Sequence, residues 1–217
     1  MHVVPPPMQM ARDGSGGCIV VWTRNIPDPD KEKAGFIDSD IYAQRISAQG
    51  DLVWQESGVP VHIAGSPIVA QVVSDGQGGA MIASSQGYVR RISSEGNLKW
   101  PQGSVKAPGI YSGSEAFQMV SDGSGGVITL WGCMDNRLMI QRIDGTGKTM
   151  WPEDGVALFR VSEEECEYGI GFAAPVMESD GEGGVFIVWH EGNRSYIQHV
   201  NADGNKAWGG GGILLND

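Results

Sequence analysis

One turn motif, Asp-Gly-x-Gly-Gly, occurs four times in this chain and each time leads into an apolar, β-branched run. The motifs start at four residues that we call the marker aspartates: Asp13, Asp75, Asp122 and Asp180. Nine residues after each marker aspartate stands a tryptophan, or serine in the second copy: Trp22, Ser84, Trp131 and Trp189. A second motif, Gly-x-x-x-Trp, follows in every copy: Gly50/Trp54, Gly96/Trp100, Gly147/Trp151 and Gly204/Trp208. Two markers repeated in fixed order predict a repeat protein.

The second copy is the shortest and shows what one repeat folds into. Its apolar runs predict strands at Ile68 to Val73, Ala80 to Ser84 and Tyr88 to Ser93, with a fourth strand opening at Leu98. Gly- and Asp-rich turns separate these strands. Four short strands joined by hairpins in about 45 residues are one blade of a β-propeller.

The chain is therefore expected to be all-β, a single propeller domain of four-stranded antiparallel blades. The four repeats span residues 8–63, 66–107, 114–161 and 173–216 approximately. Four blades make a tight closed ring. The alternatives are an excerpt of a longer array, or half of a larger ring that a homodimer completes.

Charge and hydropathy exclude two classes of partner. With 15 basic and 26 acidic side chains the formal net charge is -11, which opposes binding to nucleic acid. No run approaches the roughly 20 apolar residues of a membrane helix, so no membrane insertion is expected. The first ten residues lack the basic and apolar regions of a signal peptide.

Two resemblances can be stated on particular residues. Residues 89–100, Val-Arg-Arg-Ile-Ser-Ser-Glu-Gly-Asn-Leu-Lys-Trp, resemble the segment that closes each blade in PQQ-like propeller repeats. The wider pattern, with Asp-Ile-Tyr-Ala-Gln-Arg at Asp40 to Arg45, is similar to a bacterial DGxGG/W repeat of large secreted or surface proteins. The resemblance implies the propeller fold and an extracellular or cell-surface location. It covers blade-building residues only, so no cofactor is expected.

Two sets of repeated polar residues have competing interpretations. The marker aspartates either cap their own turns or bind cations, and one carboxylate per turn favours capping over the six to eight oxygens of calcium. Equivalent third-strand positions carry cationic or titratable side chains: Arg45, Arg91, Arg142 and His199. These either pair with the marker aspartates, which we favour because every copy repeats them, or form an anion-binding site.

The irregular segments hold the remaining polar candidates. An insertion at residues 24–39 of the first copy is rich in carboxylates, and its calcium-ligand candidates are Asp28, Asp30, Asp38 and Asp40. A solvated acidic loop is the favoured interpretation, as it is for the acidic segment 162–174. Cys133 and Cys166 flank irregular segments, and whether they form a disulfide is open.

Aromatic residues leave a choice between packing and ligand binding. All seven tryptophans belong to one of the two markers, which favours packing between blades over exposed sugar platforms. Phe36, Tyr111 and Tyr168 lie in irregular segments and are the candidates for glycan contact. No serine-hydrolase, zinc-protease, P-loop or dinucleotide motif occurs. The chain is predicted to be a non-catalytic scaffold or protein-interaction propeller; the alternatives are a carbohydrate-binding propeller and a glycoside hydrolase or lyase with clustered carboxylates.

Overall fold

Four antiparallel sheets, one for each repeat, make up the fold. The computed structural model describes residues 8–26, 38–61, 69–84, 86–107, 118–132, 137–160 and 175–216. The regular structure of these residues is entirely β. Each sheet is a four-stranded meander in sequence order, the blade of a β-propeller, as the repeats predicted.

The strands of each blade are as follows. Blade 1 contains β1 (Met8–Arg12), β2 (Cys18–Ile26), β3 (Asp38–Ile46) and β4 (Val59–Pro60). Blade 2 contains β5 (Val69–Ser74), β6 (Ala80–Ser84), β7 (Tyr88–Ile92) and β8 (Val105–Lys106). Blade 3 contains β9 (Gln118–Ser121), β10 (Val127–Gly132), β11 (Arg137–Ile143) and β12 (Val156–Arg160). Blade 4 contains β13 (Val176–Ser179), β14 (Val185–Glu191), β15 (Arg194–Val200) and β16 (Ile213–Leu214).

The first three strands of blade 2 lie within one residue of their predicted bounds, but the fourth does not. Leu98 makes only an isolated bridge to Ile92, and the strand itself begins at Val105. An equivalent bridge occurs in the other blades. The segment after strand three therefore pairs with the sheet at one residue before it returns to the sheet as strand four. Strand four therefore begins after the tryptophan: directly after a glycine in blades 1, 3 and 4, and two residues after Gly103 in blade 2.

The chain divides into two compact units, each of two blades. Blades 1 and 2 form the unit Met1–Lys106, and blades 3 and 4 form the unit Ala107–Asp217. Each unit has its own hydrophobic core between its two blades: Ile19 and Val21 of blade 1 cluster with Val72 and Ile82 of blade 2. In the second unit, Leu158 of blade 3 belongs to the cluster that contains the blade 4 residues Met177, Val185 and Ile187. Among the described residues, no helix is long and apolar enough to cross a membrane.

The meander gives each blade two edges of different character. The connections between strands one and two and between strands three and four leave the same edge, since antiparallel strands alternate in direction. Their lengths are constant: five residues (13–17, 75–79, 122–126, 180–184) and twelve residues (47–58, 93–104, 144–155, 201–212). We call this the constant edge.

The opposite edge carries the connections between strands two and three and those that lead to the next blade. The former range from two residues, Gly192 and Asn193, to the eleven of 27–37. The latter span 61–68, 107–117 and 161–175. We call this the variable edge, because connection length there changes from blade to blade.

The marker turn is held by its own aspartate, which confirms the capping interpretation. In blade 3, Asp122 Oδ1 accepts hydrogen bonds from the backbone N–H groups of Ser124 (2.8 Å) and Gly126 (2.7 Å). Gly123 and Gly125 have φ of 77° and 91°, which favours glycine over residues with a Cβ. The last glycine is required for space, since a Cβ on Gly126 would lie 2.4 Å from the Ile143 carbonyl oxygen.

The second motif joins neighbouring blades within each unit. The Trp54 indole N–H of blade 1 donates to the Ser94 carbonyl of blade 2, with Nε1 and O 2.9 Å apart. Trp151 of blade 3 makes the same bond to Ala202 of blade 4, also at 2.9 Å. The indole ring also lies against the glycine that stands two residues after this carbonyl. A Cβ on Gly204, for example, would lie 2.9 Å from Trp151 Cδ1.

We expect Gly204→Ala to destabilise the protein more than Gly181→Ala. Both glycines have positive φ (82° and 78°), so both substitutions incur a left-handed backbone cost of about 1 kcal/mol. Only Gly204 also faces Trp151, whereas a Cβ on Gly181 has open space, and the added overpacking costs about 1–3 kcal/mol. Urea denaturation of the two variants measures the difference. Equal midpoints would show that the indole is not seated on this turn.

Candidate functional site

In each blade the arginine or histidine of the third strand pairs with the marker aspartate. Arg45 Nη2 lies 2.9 Å from Asp13 Oδ2, and Arg91 Nη2 lies 2.9 Å from Asp75 Oδ2. The corresponding distance is 3.0 Å for Arg142 and Asp122, and His199 Nε2 lies 2.8 Å from Asp180 Oδ2 in blade 4. The pairing interpretation is therefore confirmed, with Arg45, Arg91, Arg142 and His199 each bound to the aspartate of its own blade. Anion binding by these residues stays a prediction.

The pKa values of two of these carboxylates, Asp13 and Asp180, lie below the ordinary value of an aspartate. Hydrogen bonds from the Ser15 backbone and hydroxyl groups lower the pKa of Asp13 most, with further contributions from Arg45 and Gly17. Burial raises the pKa of Asp180, but hydrogen bonds from His199, Glu182 and Gly184 outweigh it and leave the value below 3.8. A carboxylate with a lowered pKa stabilises the fold above its unfolded pKa near 4, and this contribution is lost as pH falls through the folded value.

Two side chains of one blade converge on a single carbonyl of the next blade in the same unit. The Ser94 oxygen accepts from Trp54 Nε1 at 2.9 Å and from Arg45 Nη1 at 3.3 Å. In the second unit, Trp151 Nε1 and Arg142 Nη1 approach the Ala202 oxygen at 2.9 and 3.5 Å. The arginine thus joins the capped turn of its own blade to the neighbouring blade.

A third repeated residue, which the sequence analysis missed, anchors the constant edge. Buried glutamines precede the cation in three blades: Gln44, Gln141 and Gln198. The Gln141 side-chain Nε2 donates to the Pro152 carbonyl at 2.8 Å. Its side-chain oxygen accepts the backbone N–H of Trp151 at 3.1 Å. Gln44 makes the equivalent bonds to the backbone at Trp54 and the residue after it, and Gln198 makes them at Trp208. The sequence signal for this series was a glutamine directly before the arginine or histidine of the third strand.

Blade 2 departs from this pattern in two places. Arg90 stands where the other blades have glutamine, and among the described residues its Nε has no hydrogen-bond partner. Burial lowers the pKa of Arg90. Ser84, which replaces the first-marker tryptophan, is fully buried, and its hydroxyl oxygen lies 3.4 Å from the Tyr88 nitrogen.

The first-marker tryptophans make ring contacts both within their own blades and between blades, and the contact of Trp189 with blade 3 agrees with the expected packing between blades. Trp22 stacks on Tyr42 with centroids 6.0 Å apart, and Trp189 stacks on Tyr196 at 5.6 Å. A Cβ on Gly58 would meet Trp22 Cη2 at 2.6 Å, which explains the glycine that opens strand four. Trp189 also stacks on Phe159 of blade 3, with centroids 4.5 Å apart. Of these three stacking contacts, this one joins two blades.

Most of the other predicted site residues lie outside the described part of the chain. These are Asp28, Asp30, Phe36, Tyr111, Cys133, Cys166 and Tyr168. Asp38 begins β3, but its side chain is not among those described. Asp40 is half-buried, and its Oδ1 accepts the Ile41 N–H at 2.8 Å. Cys18 is a free, half-buried cysteine. No group of three or more histidine, cysteine or carboxylate side chains that could hold a metal occurs among the described residues.

The described part of the variable edge mixes cationic and aromatic side chains. The Arg24 guanidinium lies 5.5 Å from the centre of the Tyr42 ring, and Lys106 Nζ lies 5.5 Å from that of Tyr88. In blade 4 the turn at Gly192 and Asn193 is exposed. This edge is where the blades differ, while the constant edge repeats the same bonds.

Comparisons with known proteins return structures only. No family model matches the chain, and no curated protein matches it. A crystal structure of HIRA(644-1017) aligns with TM-score 0.47 and 9% identity, covering 100% of this chain and 57% of that one. A functionally unknown protein from Desulfotomaculum acetoxidans DSM 771 aligns with TM-score 0.44 and 16% identity, covering 91% and 54%. TolB from Acinetobacter baumannii gives TM-score 0.38 and 15% identity, covering 93% and 53%. The chain spans little more than half of each of these structures.

We expect Asp122→Ala to lower the free energy of unfolding by about 3 kcal/mol, because it leaves Arg142 partly buried without its carboxylate and removes the turn cap. Asp154→Ala is the matched control, since Asp154 is exposed at the same edge of the same blade. Denaturant unfolding of both variants gives the comparison. A loss for Asp122→Ala no larger than for Asp154→Ala would contradict a structural role for the pair.

Proposed function

We propose that this protein is a non-catalytic extracellular or cell-surface scaffold that binds a protein partner through the variable edges of its blades. The observation that carries the proposal is the division between the two edges. At the constant edge, connection lengths repeat as five and twelve residues, and the marker residues bond one another. Surface connections of varying length on a rigid scaffold are the usual place for recognition.

The surface location draws on the similarity of residues 40–45 and of the two markers to repeats of secreted and surface proteins. The net charge of -11 favours partners with neutral or cationic surfaces. The exposed turn of blade 4 and the cation–aromatic pairs of blades 1 and 2 provide both polar and apolar contact groups at the variable edge.

Site-specific photocrosslinking on intact cells tests the proposal. A benzophenone amino acid at Asn193 places the probe at the variable edge of blade 4, and one at Asp203 places it at the constant edge. Both positions are exposed turn residues next to β15, so the two probes differ mainly in edge. We expect discrete adducts with a protein other than the chain itself from Asn193 alone. Adducts of equal yield from both positions, or from Asp203 alone, would overturn the assignment to the variable edge.

A carbohydrate-binding propeller is the second candidate, and one observation favours it. Phe36, Tyr111 and Tyr168 all fall in segments that connect strands at the variable edge: 27–37, 107–117 and 161–175. Aromatic side chains stack on the apolar faces of sugars and are common in such sites.

A glycan array separates this candidate from the protein scaffold. If the second candidate is correct, the chain binds a defined set of glycans, and Tyr111→Ala or Tyr168→Ala lowers that binding at least tenfold. Phe186→Ala is the control for general loss of aromatic packing, because Phe186 stacks on His199 next to the constant edge. Absence of reproducible glycan binding would contradict the carbohydrate-binding candidate.

A further inference from the structure

Blade 2 carries an arginine, Arg90, at the position where the other three blades carry a buried glutamine. In blade 1 the Gln44 side chain donates to the Gln55 carbonyl at 2.6 Å and accepts the backbone N–H groups of Arg45 and Trp54, both at 3.0 Å. The glutamines of blades 3 and 4 make the equivalent bonds. A neutral amide therefore supplies both a donor and an acceptor between strand three and the three–four connection.

Arg90 changes the chemistry of this place. A guanidinium has five N–H donors, no acceptor and a permanent positive charge. The Arg90 side chain is half-buried, and its Nε is a buried donor that has no hydrogen-bond partner among the described residues. Burial lowers the pKa of Arg90, which is the direction expected for a cation that has lost water without gaining an anion. A buried donor of this kind calls for an acceptor.

The carboxylates of blade 2 are engaged elsewhere. Asp75 Oδ2 accepts from Arg91 Nε at 3.1 Å and from Arg91 Nη2 at 2.9 Å, while Asp75 Oδ1 caps the marker turn. Arg90 and Arg91 are neighbours on one strand, so their side chains point to opposite faces of the sheet. Glu95, the other carboxylate within residues 69–84 and 86–107, is exposed and bonds a serine hydroxyl. Within the part of the chain that the structure describes, no ion pair of Arg90 occurs.

The turn beside Arg90 differs from its equivalents in the way that a larger, charged side chain requires. Trp100 and Gly103 both have positive φ, at 63° and 96°, and the Gly103 N–H donates to the Trp100 carbonyl at 2.9 Å. A Cβ at position 103 would lie 3.2 Å from Arg90 Nη1, so glycine leaves room for the guanidinium there. Pro101 and Gln102 of the same turn are exposed, which places the turn at the protein surface.

We propose that Arg90 and the turn at residues 100–103 form a binding site for one oxyanion, a carboxylate or a phosphoryl group held by the guanidinium fork. Guanidinium donors match the oxygens of both groups in a bidentate geometry. The arginines at the next position of each third strand cannot serve in this way, because their marker aspartates already occupy them. The site belongs to the constant edge, so it goes beyond the proposed function at the variable edge.

Urea denaturation of the intact chain in chloride, acetate and phosphate, at equal pH and ionic strength, tests the site. A ligand that binds only the folded state raises the unfolding midpoint with the logarithm of its concentration above the dissociation constant. We expect acetate or phosphate to raise the wild-type midpoint in this way relative to chloride. The more effective of the two identifies a carboxylate or a phosphoryl group as the ligand. Arg90→Gln should lower the apparent affinity at least about tenfold, because it removes the charge-assisted bonds.

Matched variants separate the site from general salt effects. Phosphate also stabilises proteins through its exclusion from their surface, but that effect should be common to all variants. Lys99→Gln removes an exposed cation from the same connection and should keep the wild-type shift. Arg90→Gln introduces the residue of the other blades, and Arg90→Lys, which keeps the charge without the fork, is the second variant should the first unfold; it should also lose part of the shift.

Two results would overturn the oxyanion site. One is a wild-type midpoint that neither anion raises above its value in chloride. The other is a shift of equal size in the wild-type chain, the Arg90 variants and Lys99→Gln. Neither result bears on the variable edge, which the crosslinking experiment tests separately.

Discussion

A single backbone carbonyl in the three–four turn links the two blades of each unit, and the other repeated bonds of the constant edge surround it. In both units this oxygen accepts the indole N–H of the preceding blade, and the arginine of that blade approaches it as well. The same arginine binds the aspartate that caps the marker turn. Turn, strand pairing and blade stacking are therefore coupled through one side chain. This coupling explains why Asp, Arg and Trp recur together, since the loss of one leaves a partly buried charge or donor without a partner.

The constant edge was predictable because its constraints are local and repeated. The spacing of Asp13, the glycines after it and Trp22 favoured a capped turn between two strands over a cation site, and the four copies supported this. The glutamine series escaped notice because Gln44 reads as an ordinary polar residue of an alternating strand. Its burial follows from tertiary structure, in which its amide holds the chain segment at Trp54 and Gln55. The start of strand four was misplaced for a related reason, because Leu98 is apolar but bonds to the sheet at one point only.

Blade 2 shows how far the pattern tolerates change. Its three–four connection keeps the length of twelve residues, although its glycine, Gly103, comes one residue earlier after the tryptophan than in the other blades. Trp100 takes φ of 63°, the one described non-glycine residue with positive φ. Arg90 occupies the glutamine position in the same blade. Arg90 lies against this altered turn, since a Cβ on Gly103 would be 3.2 Å from Arg90 Nη1. The variable edge offers no such repeats, so sequence reasoning could name its aromatic and acidic residues but not their arrangement.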